Sequence, residues 1–260
     1  MSEITKSDLV AYRNSLAEKV SARTANHDMR GAKMLFLAAR LDGVLTENPA
    51  EFVEGIRQRN GESARRAFSI DELKAILAIA DPEWHSMILF GVYTGQRLSD
   101  IASLTWANID LEKGELRLTT KKTGRLLILP MASSLRRYLE EVPSSDDLHA
   151  PLHPRAARAL SNHGRTAALS NQFADLLADA GLRERKNHQS TNKGRDVSRT
   201  QSAVSFHSLR RTATTLLHEA GIPQQVVQAM IGHDSSEVHQ LYVSIGAEAL
   251  RTAAASMPAL

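Results

Sequence analysis

The sequence predicts a mainly α chain with a small antiparallel β-sheet, an α+β fold. Three observations predict it. Apolar residues recur at helical spacing through most of the 260 residues. Two short apolar runs, Leu116-Arg-Leu-Thr-Thr and Leu126-Leu-Ile-Leu, flank Lys121-Lys-Thr-Gly124, the pattern of a hairpin with a glycine turn. A polar, glycine-containing stretch, Arg57 to Arg66, separates a short helical front from the rest.

The elements follow in order. Ser7-Asp-Leu-Val opens a helix running to about Ala22, with Leu9, Tyr12, Leu16 and Val20 on one face. A second runs from about Thr24 to Leu41, with Met34, Leu35, Leu37 and Ala38 as its apolar positions and Gly43 placed to stop it. Asn48-Pro49-Ala-Glu starts a short third helix. Residues 1–57 thus form one helical domain, 58–67 a linker, and 68–260 the second domain. There Ser69-Ile-Asp-Glu72 is a capping box ahead of Leu73, Ile76 and Leu77. Asp81-Pro-Glu-Trp opens a helix through Met87, Ile88 and Phe90. Helices are expected at about 133–141 and 170–180, and residues 183–204, which lack an apolar period, read as a long mobile loop. Leu209, Ala213, Leu216, Leu217 and Ala220 mark a helix ended by Gly221, and Pro223 opens the next.

Composition bounds the partners. With 42% hydrophobic and 23% charged residues the chain is an ordinary globular sequence. Its formal charge is +3, yet the window from Gly181 to Thr212 alone carries net +6. Arg183, Arg185, Lys186, Lys193, Arg195 and Arg199 lie in it, and such focused charge suits a polyanion as well as it suits a solvated basic loop. There is no cysteine, no membrane-length apolar run and no signal-peptide core, so a cytoplasmic, nucleoid-associated protein with no membrane partner is expected. No Walker loop or metal-ligand spacing occurs: His149 and His153 straddle Pro151, and His218-Glu219 lacks a second histidine. Neither cofactor nor metal is therefore expected.

Arg97 and Arg210 are candidates for holding phosphate, because a guanidinium is a planar fork of donors that stays charged. His207 and Arg210 are three apart on one helix, off its apolar face. Lys122 at the hairpin turn suits a general acid, with Lys121 as its competitor, although turn lysines are usually idle. His233 follows Gly232 at a helix end, and Tyr242 comes nine residues later. Tyr12, Tyr93 and Tyr138 sit in apolar helical patterns, whereas Tyr242 follows a glycine–histidine turn. A phenol of pKa about 10 needs a base or cationic stabilisation to attack near neutral pH, and the two histidines and two arginines can supply both.

These boxes resemble the signature of the tyrosine recombinase (phage integrase) family. Thr94-Gly-Gln-Arg97-Leu-Ser-Asp100 through Trp106 and Asp110 looks like its first-arginine box, and Lys122-Thr-Gly like its β-hairpin lysine. His207-Ser-Leu-Arg210 looks like its His-x-x-Arg box, and Gly232-His233 with Tyr242 like its terminal box. The resemblance implies a tyrosine-recombinase catalytic fold behind a small helical core-binding domain. It implies a site-specific recombinase working through a 3′-phosphotyrosyl intermediate and a Holliday junction. The partner would be double-stranded DNA with inverted-repeat core sites, bound as a homotetramer by a chain that is monomeric when free. Tyr242 would be the nucleophile, Arg97 and Arg210 the phosphate ligands, and Lys122 the general acid. His207 would move the tyrosine's proton, His233 would hydrogen-bond a phosphate oxygen, and Asp100 would orient the site. The helix-prone tail from Ala247 would dock on a neighbouring protomer. The departure is at the front, where about three helices stand in place of four or more, so the core-binding domain is expected to be shortened. Two other readings remain: a type IB topoisomerase-like relaxing enzyme, and a non-catalytic regulator using Leu216 to Ile231 as a helix-turn-helix.

Overall fold

The computed structural model describes residues 4–57, 65–122, 124–163, 166–185, 202–232 and 247–260. The chain divides into two compact units, Met1–Ser63 and Ala64–Leu260.

In the first unit, α1 (Lys6–Lys19) starts at a Thr5/Asp8 capping box and α2 (Ala22–Leu41) at Ser21. Leu9, Met29, Phe36, Ala50 and Val53 form its small core. The core face of α2 is not its densest apolar run. Ala25, Met29, Phe36 and Ala39 face inward, while Met34, Leu35 and Leu37 are 66, 55 and 41% exposed. The strongest apolar run in α2 thus lies on the outside. The expected third helix is replaced. Asn48 Oδ1 accepts from the Ala50 N–H at 2.9 Å, closing an Asx turn that diverts the backbone from a helix. Asn26 ties the end of the unit down through both amide ends, to the Ile56 N–H and carbonyl.

In the second unit, the Ser69 capping box opens α3 (Ile70–Ile79), and Asp81 with Pro82 at the first position opens α4 (Pro82–Thr94). Helix α4 is the axis of the core, with every residue from Met87 to Thr94 buried. Gly95, at φ +63°, ends it, and the short α5 (Leu98–Ile101) follows. A three-stranded antiparallel sheet, β1 (Ile109–Asp110), β2 (Glu115–Thr119) and β3 (Leu126–Pro130), has Leu116 opposite Leu129 and Leu118 opposite Leu127 on its buried face. Helix α6 (Ser133–Glu141) falls where the period placed it. Helix α7 (Pro154–His163) was not visible in the pattern, and α8 (Ala167–Asp179) starts three residues early.

Helices α9 (Phe206–Glu219) and α10 (Gln224–Ile231) complete the frame. Helix α9 lies so close to α4 that a methyl group on Gly91 would meet Leu209 Cδ1 at 2.7 Å. Trp84, Phe173 and Phe206 lock α4, α8 and α9 at ring separations of 5.2 to 6.3 Å. The tail helix α11 (Ala247–Ala255) packs on this unit. Leu250, Ala253, Ala254 and Met257 are buried in this unit's own core, and the Tyr93 hydroxyl donates to the Pro258 carbonyl at 3.0 Å. In the single chain the tail docks on its own unit. None of the described helices is long and apolar enough to cross a membrane.

Candidate active site

Helix termini build the site. Arg97 is the N-cap residue of α5, in extended conformation at φ −74°, ψ 151°, so its side chain leaves the chain at a turn rather than from a packed helix face. Arg210 lies in the second turn of α9 and is only 7% exposed. A cation buried that far requires compensation. Arg210 Nη1 donates to the Gly95 carbonyl at 2.8 Å and Nη2 to the Gly232 carbonyl at 3.1 Å. Gly95 and Gly232 are the left-handed C-caps of α4 and α10, at φ +63° and +72°. The guanidinium therefore bridges two helix C-termini, whose carbonyls carry the negative ends of the helix dipoles. Gly95 leads within two residues to Arg97, so this bridge sets the two arginines in one frame.

The hairpin is tied to the same frame. Asp100, 3% exposed on α5, accepts the Lys121 N–H on Oδ1 at 2.9 Å. Its Oδ2 is buried without a hydrogen-bond partner among the described residues. The turn itself closes through the Gly124 N–H to the Thr120 carbonyl at 2.8 Å, with Gly124 at φ +66°. Lys121 and Lys122 are both exposed on it. A groove of about 630 Å³ opens beside them, where the two lysines and residues such as Ser99 and Thr105 meet the apolar Pro151, Ala157 and Leu160.

His207 stands exposed in the first turn of α9. Partial desolvation of its ring, then the positive charges of Arg210, Arg65, Arg211 and Arg97, hold its pKa below the ordinary 6.5. At neutral pH this imidazole is mostly uncharged and able to accept a proton. Arg65, in the segment expected as linker, and Arg211 both belong to this field. The Arg211 Nη1 donates to the Arg65 carbonyl at 2.5 Å, and the Phe68 N–H donates to Thr212 Oγ1 at 2.9 Å. The chain entering the unit is thereby stapled along α9. A run of basic residues in a polar segment gave no signal of this.

The structure brings together Arg97, Asp100, the Lys121–Lys122 turn, His207 and Arg210. His233 and Tyr242 lie outside the described residues, as do Lys186, Lys193, Arg195 and Arg199 of the basic loop. Of that loop, Arg185 pairs with Asp179, and Arg183 Nε donates to the Glu184 carbonyl at 3.3 Å. His153 is fully buried: Nε2 meets Ser86 Oγ at 2.9 Å and Nδ1 the Ile101 carbonyl at 3.0 Å, so it serves packing. Helix α10 buries Val226, Val227, Ala229, Met230 and Ile231 in the unit and turns Gln224 and Gln225 outward.

Residues 66–248 match the model of the phage integrase family. Tyrosine recombinase XerD of Ralstonia nicotianae is 24% identical over 259 residues, covering 94% of this chain and 76% of that protein. Among solved structures, a lambda integrase dimer bound to a COC′ core site superposes with a TM-score of 0.67 at 19% identity, covering 90% of this chain and 81% of that one. A lambda integrase tetramer bound to a Holliday junction gives a TM-score of 0.64 at 20% identity, covering 90% of this chain and 66% of that one.

Proposed function

Because the chain belongs to the phage integrase family and is a tyrosine-type site-specific recombinase, we propose that it cuts and rejoins double-stranded DNA at inverted-repeat core sites through Tyr242. The Tyr242 phenolate oxygen bonds to the scissile phosphorus, and the bond to the 5′-oxygen breaks. This leaves a 3′-phosphotyrosyl linkage and a free 5′-hydroxyl. His207, its pKa lowered by partial desolvation and then by the surrounding arginines, takes the phenol proton. Lys122 gives a proton to the departing oxygen. Arg97 and Arg210 hold the non-bridging oxygens, where charge builds in the transition state, and His233 adds a hydrogen bond there. Attack by a 5′-hydroxyl from the second site then reverses the chemistry and forms a Holliday junction. The chain is monomeric when free and assembles as a homotetramer on two sites, acting in the cytoplasm on nucleoid DNA. The first unit is a helical core-binding domain that contacts DNA.

One observation carries this reading: boxes far apart in sequence converge through the chain's own bonds. Arg210 grips the carbonyl of Gly95 beside the Arg97 turn, and Asp100 grips the lysine hairpin. The cluster holds permanent cations around one neutral base, an arrangement a non-catalytic binder has no use for. The test is a nicked duplex carrying the inverted repeats. Wild-type protein should leave an SDS-stable adduct, while Tyr242→Phe should bind equally well and leave none. An adduct of undiminished yield in that variant overturns the assignment, and Tyr138, half-buried and stacked on His85, is then the next tyrosine to test. Transfer of label between two duplexes separates recombination from relaxation of a single DNA.

A further inference from the structure

Gln96 lies within the first-arginine box, next to Arg97, and nothing in the chemistry above uses it. Its side chain is buried, at 2% exposure. Nε2 donates to the Thr94 carbonyl at 2.9 Å and lies 3.3 and 3.4 Å from the carbonyls of Met230 and Ile231, the last two residues of α10. Its backbone N–H reaches Thr94 Oγ1 at 3.3 Å, and that hydroxyl donates to the Phe90 carbonyl at 2.5 Å. Three carbonyl oxygens around one end of the amide fix which end is nitrogen, since the flipped amide would set oxygen against oxygen. Oε1 is left buried without a partner among the described residues. An arrangement that orphans one acceptor is kept only where the donor end does something necessary.

Five carbonyls, those of Thr94, Gly95, Met230, Ile231 and Gly232, meet on just two side chains, Gln96 and Arg210. They belong to the C-terminal ends of α4 and α10, which sit so close that a methyl group on Gly95 would come within 3.1 Å of Ile231. Two negative dipole ends repel unless donors lie between them. Arg210 supplies the charge, and Gln96 supplies donors without a second charge. A leucine of similar size would leave the carbonyls of both helices unserved. A lysine or arginine would place another cation beside Arg210 and compete for the same oxygens.

We propose that Gln96 is the positioning residue of Arg210: by holding the end of α10 against the Thr94–Arg97 turn, it sets the spacing of the Gly95 and Gly232 carbonyls that aims the guanidinium. This rests on the reading of Arg210 as a phosphate ligand. The test compares Gln96→Leu, Arg210→Lys and the double variant in single-turnover cleavage of saturating nicked duplex, with DNA affinity measured alongside. Arg210→Lys keeps the charge but cannot bridge two carbonyls. Gln96→Leu should keep its affinity within about threefold and lose cleavage rate by roughly 10- to 100-fold. In the Arg210→Lys background the same change should cost less than about twofold, since side chains that act as a unit are non-additive. Equal losses in both backgrounds overturn the proposal. Should Gln96→Leu fail to fold, Gln96→Asn retains reach to Thr94 but not to α10, and the same comparison applies. A second readout does not depend on activity. In ¹⁵N spectra of the free protein, the Arg210 guanidinium signal should be slow to exchange in wild type and averaged in Gln96→Leu or Gln96→Asn. An unchanged signal overturns the positioning role, whereas a wild-type protein that forms no tyrosyl adduct would instead remove the recombination reading.

Discussion

Replacing Asp100 with alanine tests how the hairpin is aimed. The carboxylate is buried on α5 and accepts a bond from the backbone of Lys121, next to the proposed general acid. In Asp100→Ala the exposed Lys121 N–H can turn to water, and the turn keeps its internal bonds between Thr120, Gly124 and Arg125. The fold should survive, while the turn loses its tether to the arginine frame. A hydrogen bond to a charged group contributes about 1.5–3 kcal/mol net. If all of it holds Lys122 within reach of the leaving oxygen, the cleavage rate falls by roughly 10- to 150-fold at 1.36 kcal/mol per tenfold. The assay is single-turnover cleavage of two duplexes, one ordinary and one with sulfur as the bridging 5′-atom. Sulfur leaves with little need of a proton, so Asp100→Ala should approach wild type on that substrate. A loss that persists in full with sulfur would falsify the tether, and would mean that Asp100 acts through Arg97 instead.

Three further outcomes are expected. Lys122→Ala should lose about 10²–10⁴-fold on the ordinary phosphodiester and recover with bridging sulfur. Recovery in Lys121→Ala and not in Lys122→Ala would transfer the acid role to the neighbour. Burial first, opposed by the Ile101 carbonyl and Glu83, depresses the His153 pKa to about 4. The unfolded chain binds that proton near 6.5, so its contribution is complete above pH 6.5 and is lost as pH falls toward 4. The total is about 3 kcal/mol. Urea unfolding of wild type and His153→Gln across pH 7 to 4 should show the slope weakened in the variant, and parallel curves would refute the assignment. Deleting residues 247–260 removes Leu250, Ala253, Ala254 and Met257 from the core, worth roughly 4–8 kcal/mol by area. The free truncated protein should melt far below wild type, and an unchanged melt would mean that the tail is docked elsewhere.

What the sequence made legible follows from the kind of signal each feature carries. Capping boxes and glycine stops act locally, so α3, α4, α6, α9 and the hairpin could be placed from spacing. The buried face of α2 is not legible from apolar residues alone, because their count favours Met34, Leu35 and Leu37, whereas the small core selects Phe36 and Met29. Helix α7 escaped because its capping comes from elsewhere: Glu83 accepts from the Arg155 and Ala156 N–H groups. Arg97, Asp100, His207 and Arg210 are legible as motif members, but the bonds that tie Arg210 and Asp100 into the frame run to backbone groups of Gly95, Gly232 and Lys121. No side-chain pattern announces such bonds. Arg65 and Gln96 were missed for the same reason, since their roles depend on which turn each one faces.

The bridge from Arg210 to two helix ends also bears on how this enzyme can change over evolutionary time. In many enzymes a reactive residue is a liability to the fold, and its loss yields an inert but sturdier protein. Here the proposed phosphate ligand is also the counter-charge between α4 and α10. A chain losing Arg210 forfeits activity and leaves two carbonyl ends in mutual repulsion. Drift from recombinase to a durable silent DNA binder would first require a substitute donor at that junction.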